Sequence, residues 1–146
     1  MEANTTFSDA AKQELEIVSG AVNDILNITL TAFAHNDNNA AKAIEPLEEV
    51  IDDMVMILRD RHTKRLKSGA CTVDTGLVFM ETLTYLERAS DQCSSIAVMM
   101  MARDNETILH NHYDYLKQIH EGNDAAYAAE KDRRREQYID PLKQIM

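Results

Sequence analysis

The chain has few of the residues that make tight turns, since its 146 positions include 4 glycines and 2 prolines. Strand-rich folds need many such turns, so this scarcity argues against them. The two cysteines, Cys71 and Cys93, are too far apart to form a CxxC pair. Neither a disulfide framework nor a thiolate zinc site is therefore indicated. We expect both thiols to be buried or half-buried and to react slowly.

Positive charge and long hydrophobic runs are also scarce. There are 15 Lys and Arg against 25 Asp and Glu, a net charge of -10. Such a surface repels the phosphate backbone, so no nucleic-acid partner is expected. No run approaches about 18 uninterrupted apolar residues, and the start lacks the basic segment and apolar block of a signal peptide. The pattern predicts a soluble chain forming a single domain over residues 1–146.

Apolar residues recur at helical spacing in three long stretches, which predicts three long amphipathic helices. They cover about residues 7–33, 40–67 and 76–103. Pro46 should lie in the first turn of the second helix or kink it. Ile51 and Leu83 fall on apolar faces and should be core residues. Beyond about residue 107 we expect a short helix and then a longer one that Pro141 ends.

The connections between these helices are short, so neighbouring helices should run antiparallel. The predicted fold class is therefore all-α, an antiparallel up-and-down helical bundle. Three consecutive methionines, at positions 99–101, lie near the end of the third helix. Such a cluster on an apolar helix is typical of core filling rather than of a ligand site.

Two acidic pairs, Glu48/Asp52 and Glu87/Asp91, each place two carboxylates one turn apart on one helix face. Like charges at this spacing weaken a helix, and both pairs border its apolar stripe. If the second and third helices are antiparallel neighbours, the four carboxylates can converge and either take up protons or bind a cation. The alternative is that they are rim carboxylates, paired with nearby basic side chains such as Arg59.

Other chemistries find less support. A di-iron carboxylate bundle usually has Glu-x-x-His on two helices, and no glutamate here has a histidine three residues later. Cys93 has no nearby base in the sequence, and Ser94-Ser95 lack the context of a nucleophile elbow. His110-x-His112 is not a same-face helical pair. The basic run over residues 131–135 predicts a solvated helix face, with a membrane or partner contact as the alternative.

Two segments resemble a known family. Residues 86–97, LERASDQCSSIA, resemble the "LERxxDHxxNIA" signature of PhoU-type helical domains, with Gln92 and Ser95 in place of its His and Asn. Residues 46–52, PLEEVID, resemble the acidic segment of the preceding helix. Residues 65–72, 93–95 and 115–123 further resemble the C-terminal PhoU-like domain of bacterial sodium/phosphate cotransporter family proteins.

The resemblance implies a three-helix unit that occurs as a tandem pair, joined to a membrane-embedded transporter. This chain resembles the second repeat, so we expect it to be part of a longer protein. In PhoU-type domains the acidic signatures hold iron or zinc. Carried over residue by residue, this implies a metal site at Glu48, Asp52, Glu87 and Asp91.

The leading functional hypothesis is therefore a non-enzymatic regulatory domain of a sodium-dependent phosphate cotransporter, at the cytoplasmic face of the cell membrane. Its expected partners are the transmembrane domain of the same protein, the preceding PhoU repeat and a second copy of the chain. The alternatives are a free-standing PhoU-type metal-binding regulator of phosphate uptake and a carboxylate-bridged metalloenzyme.

Overall fold

A computed structural model of the chain describes residues 7–103 and 125–145. Within these residues the chain is helical and contains no strand, which confirms the all-α bundle. The helices are α1 (Asp9–Ala34), α2 (Asn38–Ala41), α3 (Ile44–Ser68), α4 (Val73–Ala102), α5 (Ala125–Arg134) and α6 (Asp140–Gln144). A π-helical segment, Arg135–Ile139, joins α5 to α6. The short helix expected soon after residue 107 lies outside the described residues.

Local capping sets the helix ends. Ser8 Oγ accepts a hydrogen bond from the Ala11 amide at 3.1 Å and so begins α1. Asp37 caps a separate short helix, α2. The second long helix therefore begins at Ile44, later than the predicted start at about residue 40. Pro46 lies in the first turn of α3, as predicted, where a missing amide hydrogen costs little. Gly69, with a φ of 76°, ends α3.

The three long helices run alternately up and down. An edge-to-face contact joins Phe7, just before α1, to Phe79 near the start of α4, with ring centroids 5.9 Å apart. At the other end, Arg103 donates to Asn36 Oδ1 at 2.8 Å. Helices α1 and α4 are therefore parallel to each other and antiparallel to α3. The predicted core residues Ile51 and Leu83 are fully buried among them.

Pro141 does not end the last helix, contrary to the expectation from the sequence. It lies in the first turn of α6, directly after the π-helical segment. A proline inside an α-helix removes one hydrogen bond and clashes with the carbonyl four residues earlier. Here the helix widens before the proline, and the Asp140 amide donates to the Arg135 carbonyl, five residues back. The wider turn lets the helix continue until Leu142 reaches the core.

Helix α1 is long and apolar enough to cross a membrane, by length and composition alone, with a mean hydropathy of 1.4. Its inner face packs in the bundle core through residues such as Val18 and Ile25. Its outer face leaves Leu30 and Phe33 largely exposed.

The three methionines at positions 99–101 of α4 likewise lie partly in the core and partly at the surface. The second and third of them are buried, as predicted, but Met99 is 70% exposed.

The close approach of α3 and α4 can be tested with two glycines. Gly20 has open space around the position of a Cβ, so Gly20→Ala is expected to stabilise the protein by about 0.5–1 kcal/mol. A Cβ on Gly76 would lie 2.7 Å from Leu66 Cδ2 and 3.2 Å from His62 Nε2. The end of the Leu66 side chain can move aside, but the His62 ring is buried and stacked on Phe79. The contact with that ring should cancel the backbone gain, leaving Gly76→Ala no more stable than the parent in urea unfolding. Equal stabilisation by both substitutions would contradict this packing.

Candidate functional site

Acidic side chains from α3 and α4 meet where these antiparallel helices pack together. Glu48 and Asp52 lie one turn apart on α3, and Asp91 lies opposite them on α4. One carboxylate oxygen from each of the three lies within 4.8 Å of the others. We call these three residues the carboxylate trio. Glu48 is buried, Asp52 half-buried and Asp91 exposed, so the trio is reached from solvent past Asp91.

The two α3 carboxyls of the trio share a proton. Burial, followed by the hydrogen bond with Asp52 and the charge of Glu45, raises the pKa of Glu48 far above its usual range. Burial also raises the pKa of Asp52, to about 6, and the charges of Asp91 and Glu87 act in the same direction. The hydrogen bond from Glu48 opposes that rise. At neutral pH, Glu48 therefore keeps its proton and donates it to a charged Asp52.

A further carboxylate, Glu45, borders the trio and was not among the residues predicted from the sequence. It is buried and accepts a hydrogen bond from Ser94 Oγ at 2.5 Å. Its negative charge contributes to the raised pKa values of Glu48 and Asp52. The signal that could have identified it is its spacing. Glu45, Glu48 and Asp52 recur three and four residues apart, which places them on one helix face.

Glu87, the fourth predicted metal ligand, is not in the group of described carboxylates that approach within 4.8 Å. Its Oε2 lies 3.6 Å from Arg59 Nη1, and Arg59 also donates to Thr84 Oγ1 at 3.1 Å. This is the ion pair that the rim interpretation expected. The charge of Glu87 nevertheless raises the pKa of Asp52, so the residue acts on the trio electrostatically. Its role as a ligand stays a prediction.

The chemistry open to the carboxylate trio follows from its donor atoms. Carboxylates this close together hold a proton between them or bind a cation. An all-oxygen donor set suits hard cations such as Fe³⁺, Mn²⁺ or Mg²⁺, whereas Zn²⁺ more often takes His or Cys ligands. A cation would have to displace the proton of Glu48, so cation binding and protonation compete.

The basic run over residues 131–135, at the end of α5 and the start of the π-helical segment, is partly solvated as predicted, and its side chains also form ion pairs. The pairs are Lys131–Glu49 at 3.3 Å, Arg133–Glu130 at 2.5 Å, Arg134–Glu130 at 3.1 Å and Arg135–Asp53 at 2.8 Å. Two of these pairs join the C-terminal helices to α3. Tyr127 strengthens the same contact by donating a hydrogen bond to Glu49. The predicted membrane or partner contact of this run stays a prediction.

The histidines and cysteines lie in contrasting environments. His35 is exposed after α1, and His62 is buried on α3. His110, His112 and His120 lie outside the described residues. Cys93 is buried and Cys71 half-buried, which confirms the expected burial of the two thiols.

Comparison with known proteins found one family. The model of the PhoU domain matches residues 15–100, which is more than half of the chain. The match covers α2, α3 and most of α1 and α4, and it includes the whole carboxylate trio. No curated protein and no solved structure matches the chain.

Proposed function

We propose, because this chain belongs to the PhoU family, that it regulates phosphate uptake as the cytoplasmic domain of a sodium-dependent phosphate cotransporter. Membership of the family gives the coarser role, regulation in phosphate homeostasis, and PhoU domains are regulatory rather than catalytic. The observation that carries the proposal is the carboxylate trio, which the fold assembles inside the matched residues. The transporter context rests on the sequence resemblance of residues 65–72, 93–95 and 115–123.

The trio is proposed to bind a metal ion through Glu48, Asp52 and Asp91. Its all-oxygen donor set favours iron over zinc among the two metals implied by the resemblance. Burial is the main cause of the raised pKa values of Glu48 and Asp52, and neighbouring negative charges add to it. A cation would neutralise those charges but must displace the proton of Glu48, so the proposed binding strengthens as the pH rises. Glu87 would support the site through its charge.

Regulation follows if the metal changes how α3 and α4 are held together. The trio takes ligands from both helices, so a bound ion would stabilise one arrangement of the pair. An effector shifts a conformational equilibrium only by its differential affinity for the two states. The domain would transmit that difference to the transporter through whichever surface contacts it.

The proposed partners are the transmembrane domain, the preceding PhoU repeat and a second copy of the chain. An exposed apolar surface supports packing against another helical unit. It consists of Leu26, Leu30 and Phe33 on α1, with Met99 at the same end of α4. Separate exposed apolar residues are common, but three on one helix face form a continuous stripe.

Two alternatives are distinguishable. In a free-standing PhoU-type regulator, the reading frame would encode no transmembrane helices, whereas the cotransporter proposal requires them upstream. A carboxylate-bridged metalloenzyme would show metal-dependent hydrolase or oxidase activity. The lack of Glu-x-x-His in the sequence disfavours that third candidate.

Thermal unfolding tests metal binding directly. Iron is expected to raise the Tm of the parent protein, since a ligand at 100 times its Kd adds about 2.7 kcal/mol of stability. Glu48→Gln combined with Asp91→Asn should remove this response, whereas the matched control Glu81→Gln, at an exposed carboxylate of α4, should retain it. Chelator gives the baseline, and zinc should act more weakly than iron. An unchanged Tm of the parent protein in iron, zinc and chelator would refute the metal site.

The regulatory proposal needs a test in cells that carry the full-length protein. Deleting residues 7–145 is expected to change phosphate uptake or its response to external phosphate. Glu48→Gln with Asp91→Asn should reproduce that change if the metal is the signal, and the exposed control Glu81→Gln should not. Normal uptake after the deletion, with the truncated protein present at normal levels, would refute the regulatory role.

A further inference from the structure

A histidine and a cysteine meet at the end of the bundle where α3 turns into α4. His62 is 99% buried, and its ring stacks on Phe79 with centroids 4.2 Å apart and planes 13° from parallel. Its Nε2 lies 3.6 Å from Cys71 Sγ, within hydrogen-bond distance for sulfur. This end of the molecule is distinct from the carboxylate trio, whose nearest α3 residue, Asp52, is ten residues before His62.

The imidazole is costly to bury. Among the described residues, no group lies within hydrogen-bond distance of His62 Nδ1. An unpartnered buried polar atom destabilises the folded state, and a phenylalanine would stack on Phe79 without that cost. Packing alone therefore does not explain a histidine at this position. Its second nitrogen, which faces the thiol, is the part that no apolar side chain could replace.

The pair borders a cavity that small molecules can enter. The cavity has a volume of about 170 Å³, and Cys71, His62, Phe7, Thr72 and Thr75 contribute to its walls. This is room for about six water molecules at their volume in the liquid, about 30 Å³ each. Cys71 is half-buried and lines the cavity, so we expect small molecules to reach its sulfur without unfolding. For Cys71 this departs from the slow reaction that the sequence predicts for both thiols.

The imidazole is in the form that accepts a proton. Burial lowers the pKa of His62, and the positive charge of Arg65 acts in the same direction, against the opposing charge of Glu14. The ring is therefore neutral at physiological pH, with one nitrogen free to accept. A thiol proton at 3.6 Å is the nearest one to Nε2 that the described contacts offer.

We propose that Cys71 is an oxidation site for small hydroperoxides, with His62 as the base that activates its thiol. As Cys71 Sγ attacks the peroxide, the S–O bond forms and the O–O bond breaks. His62 Nε2 takes the thiol proton and passes it to the leaving oxygen, which departs as water or an alcohol. The sulfur loses two electrons and becomes a sulfenic acid, and the peroxide is reduced by two.

The second cysteine cannot resolve this product within the folded chain. Cys71 precedes α4 and Cys93 lies 20 residues into it, so the helix separates them by about 30 Å. A disulfide needs Cα atoms within about 7 Å. The sulfenic acid would therefore persist until an external thiol reduces it, which makes the modification reversible.

The test compares the same thiol in two states of the same protein. Metal-free protein is treated with hydrogen peroxide, the sulfenic acid is trapped with a cyclic 1,3-diketone, and each cysteine is quantified by mass spectrometry. Native Cys71 is expected to be oxidised at least about tenfold faster than Cys71 of the urea-unfolded chain at the same pH, a small part of what a positioned base can supply. Exposure alone cannot produce this result, because the unfolded thiol is the more exposed one.

His62→Gln keeps a planar polar side chain but removes the base, so native Cys71 should fall to the rate of the unfolded chain. Cys93→Ser should leave the Cys71 rate unchanged, and circular dichroism checks that each variant folds. If His62→Gln does not fold, the native-to-unfolded ratio of the parent protein decides. A ratio of one or less, or a folded His62→Gln that keeps the parent rate, would overturn the proposal.

Discussion

Glu14→Ala is expected to destabilise the domain by about 3 kcal/mol, because it removes the centre of a buried charge network. Glu14 lies on α1 with no exposed surface. Arg65 of α3 approaches both of its carboxylate oxygens at 2.7 Å, and Arg61 donates to one of them at 3.0 Å. Without the carboxylate, two positive charges would remain together at a helix contact. This loss of stability is at the low end for a broken buried ion pair, because both arginine side chains are partly exposed and would regain contact with water.

Urea unfolding of matched variants measures this effect. Glu16→Ala removes an exposed carboxylate from the same helix and should change the unfolding free energy by no more than about 0.5 kcal/mol. Glu14→Gln keeps the side-chain volume and should lie between the two. If Glu14→Ala cost as little as Glu16→Ala, Glu14 would not join α1 to α3 as described.

The metal-free domain is expected to become less stable as the pH rises from 7 to 9, by up to about 1.4 kcal/mol per pH unit. The folded-state pKa of Glu48 lies above its usual 4.5, so above that pH the folded protein holds a proton that the unfolded chain has released. Stability then falls with rising pH until the folded carboxyl also ionises. Asp52 contributes in the same direction, between its usual 3.8 and about 6.

Glu48→Gln should remove this pH dependence and make the domain more stable than the parent at pH 9. Below about pH 6.5 the lowered pKa of His62 has the opposite effect on stability. There the unfolded chain binds a proton on this imidazole that the buried ring of the folded protein does not take up, so stability falls with falling pH. The measurement therefore uses the range above pH 7. Chemical unfolding in the presence of chelator gives the free energies, with the exposed Glu16→Gln as control. Parallel slopes for the parent and Glu48→Gln would contradict the proton shared with Asp52.

The sequence predicts the helices well because helical spacing of apolar residues needs no tertiary information. Ile51 and Leu83 were identified as core residues on that basis, and both are fully buried. The spacing also identified Glu48, Asp52 and Asp91, since each lies beside an apolar stripe. It could not separate Glu87 from them. Whether a carboxylate at the same spacing meets its neighbours or an arginine depends on the rotation of α4 against α3.

Other features depend on contacts between residues distant in the sequence. Glu14 interrupts the apolar stripe of α1 between Ala11 and Val18, and this position was a signal of burial. Its partners could not be read from that stripe, since they lie some 50 residues away on α3. The π-helical segment is similar. Pro141 indicates a helix end locally, and only the packing of Leu142 in the core explains why the helix continues.

Arg61 has a consequence for the connectivity of the fold. The same guanidinium that binds Glu14 near the start of α1 also donates to the carbonyls of Leu142 and Lys143 in α6, at 3.0 and 3.3 Å. The first and last described helices thus meet around one side chain. A short peptide could join them, and new termini could be opened at the exposed turn around Asn36. The network of Glu14 would be intact in such a circular permutant, so we expect the bundle to fold with a changed chain order that leaves its contacts in place.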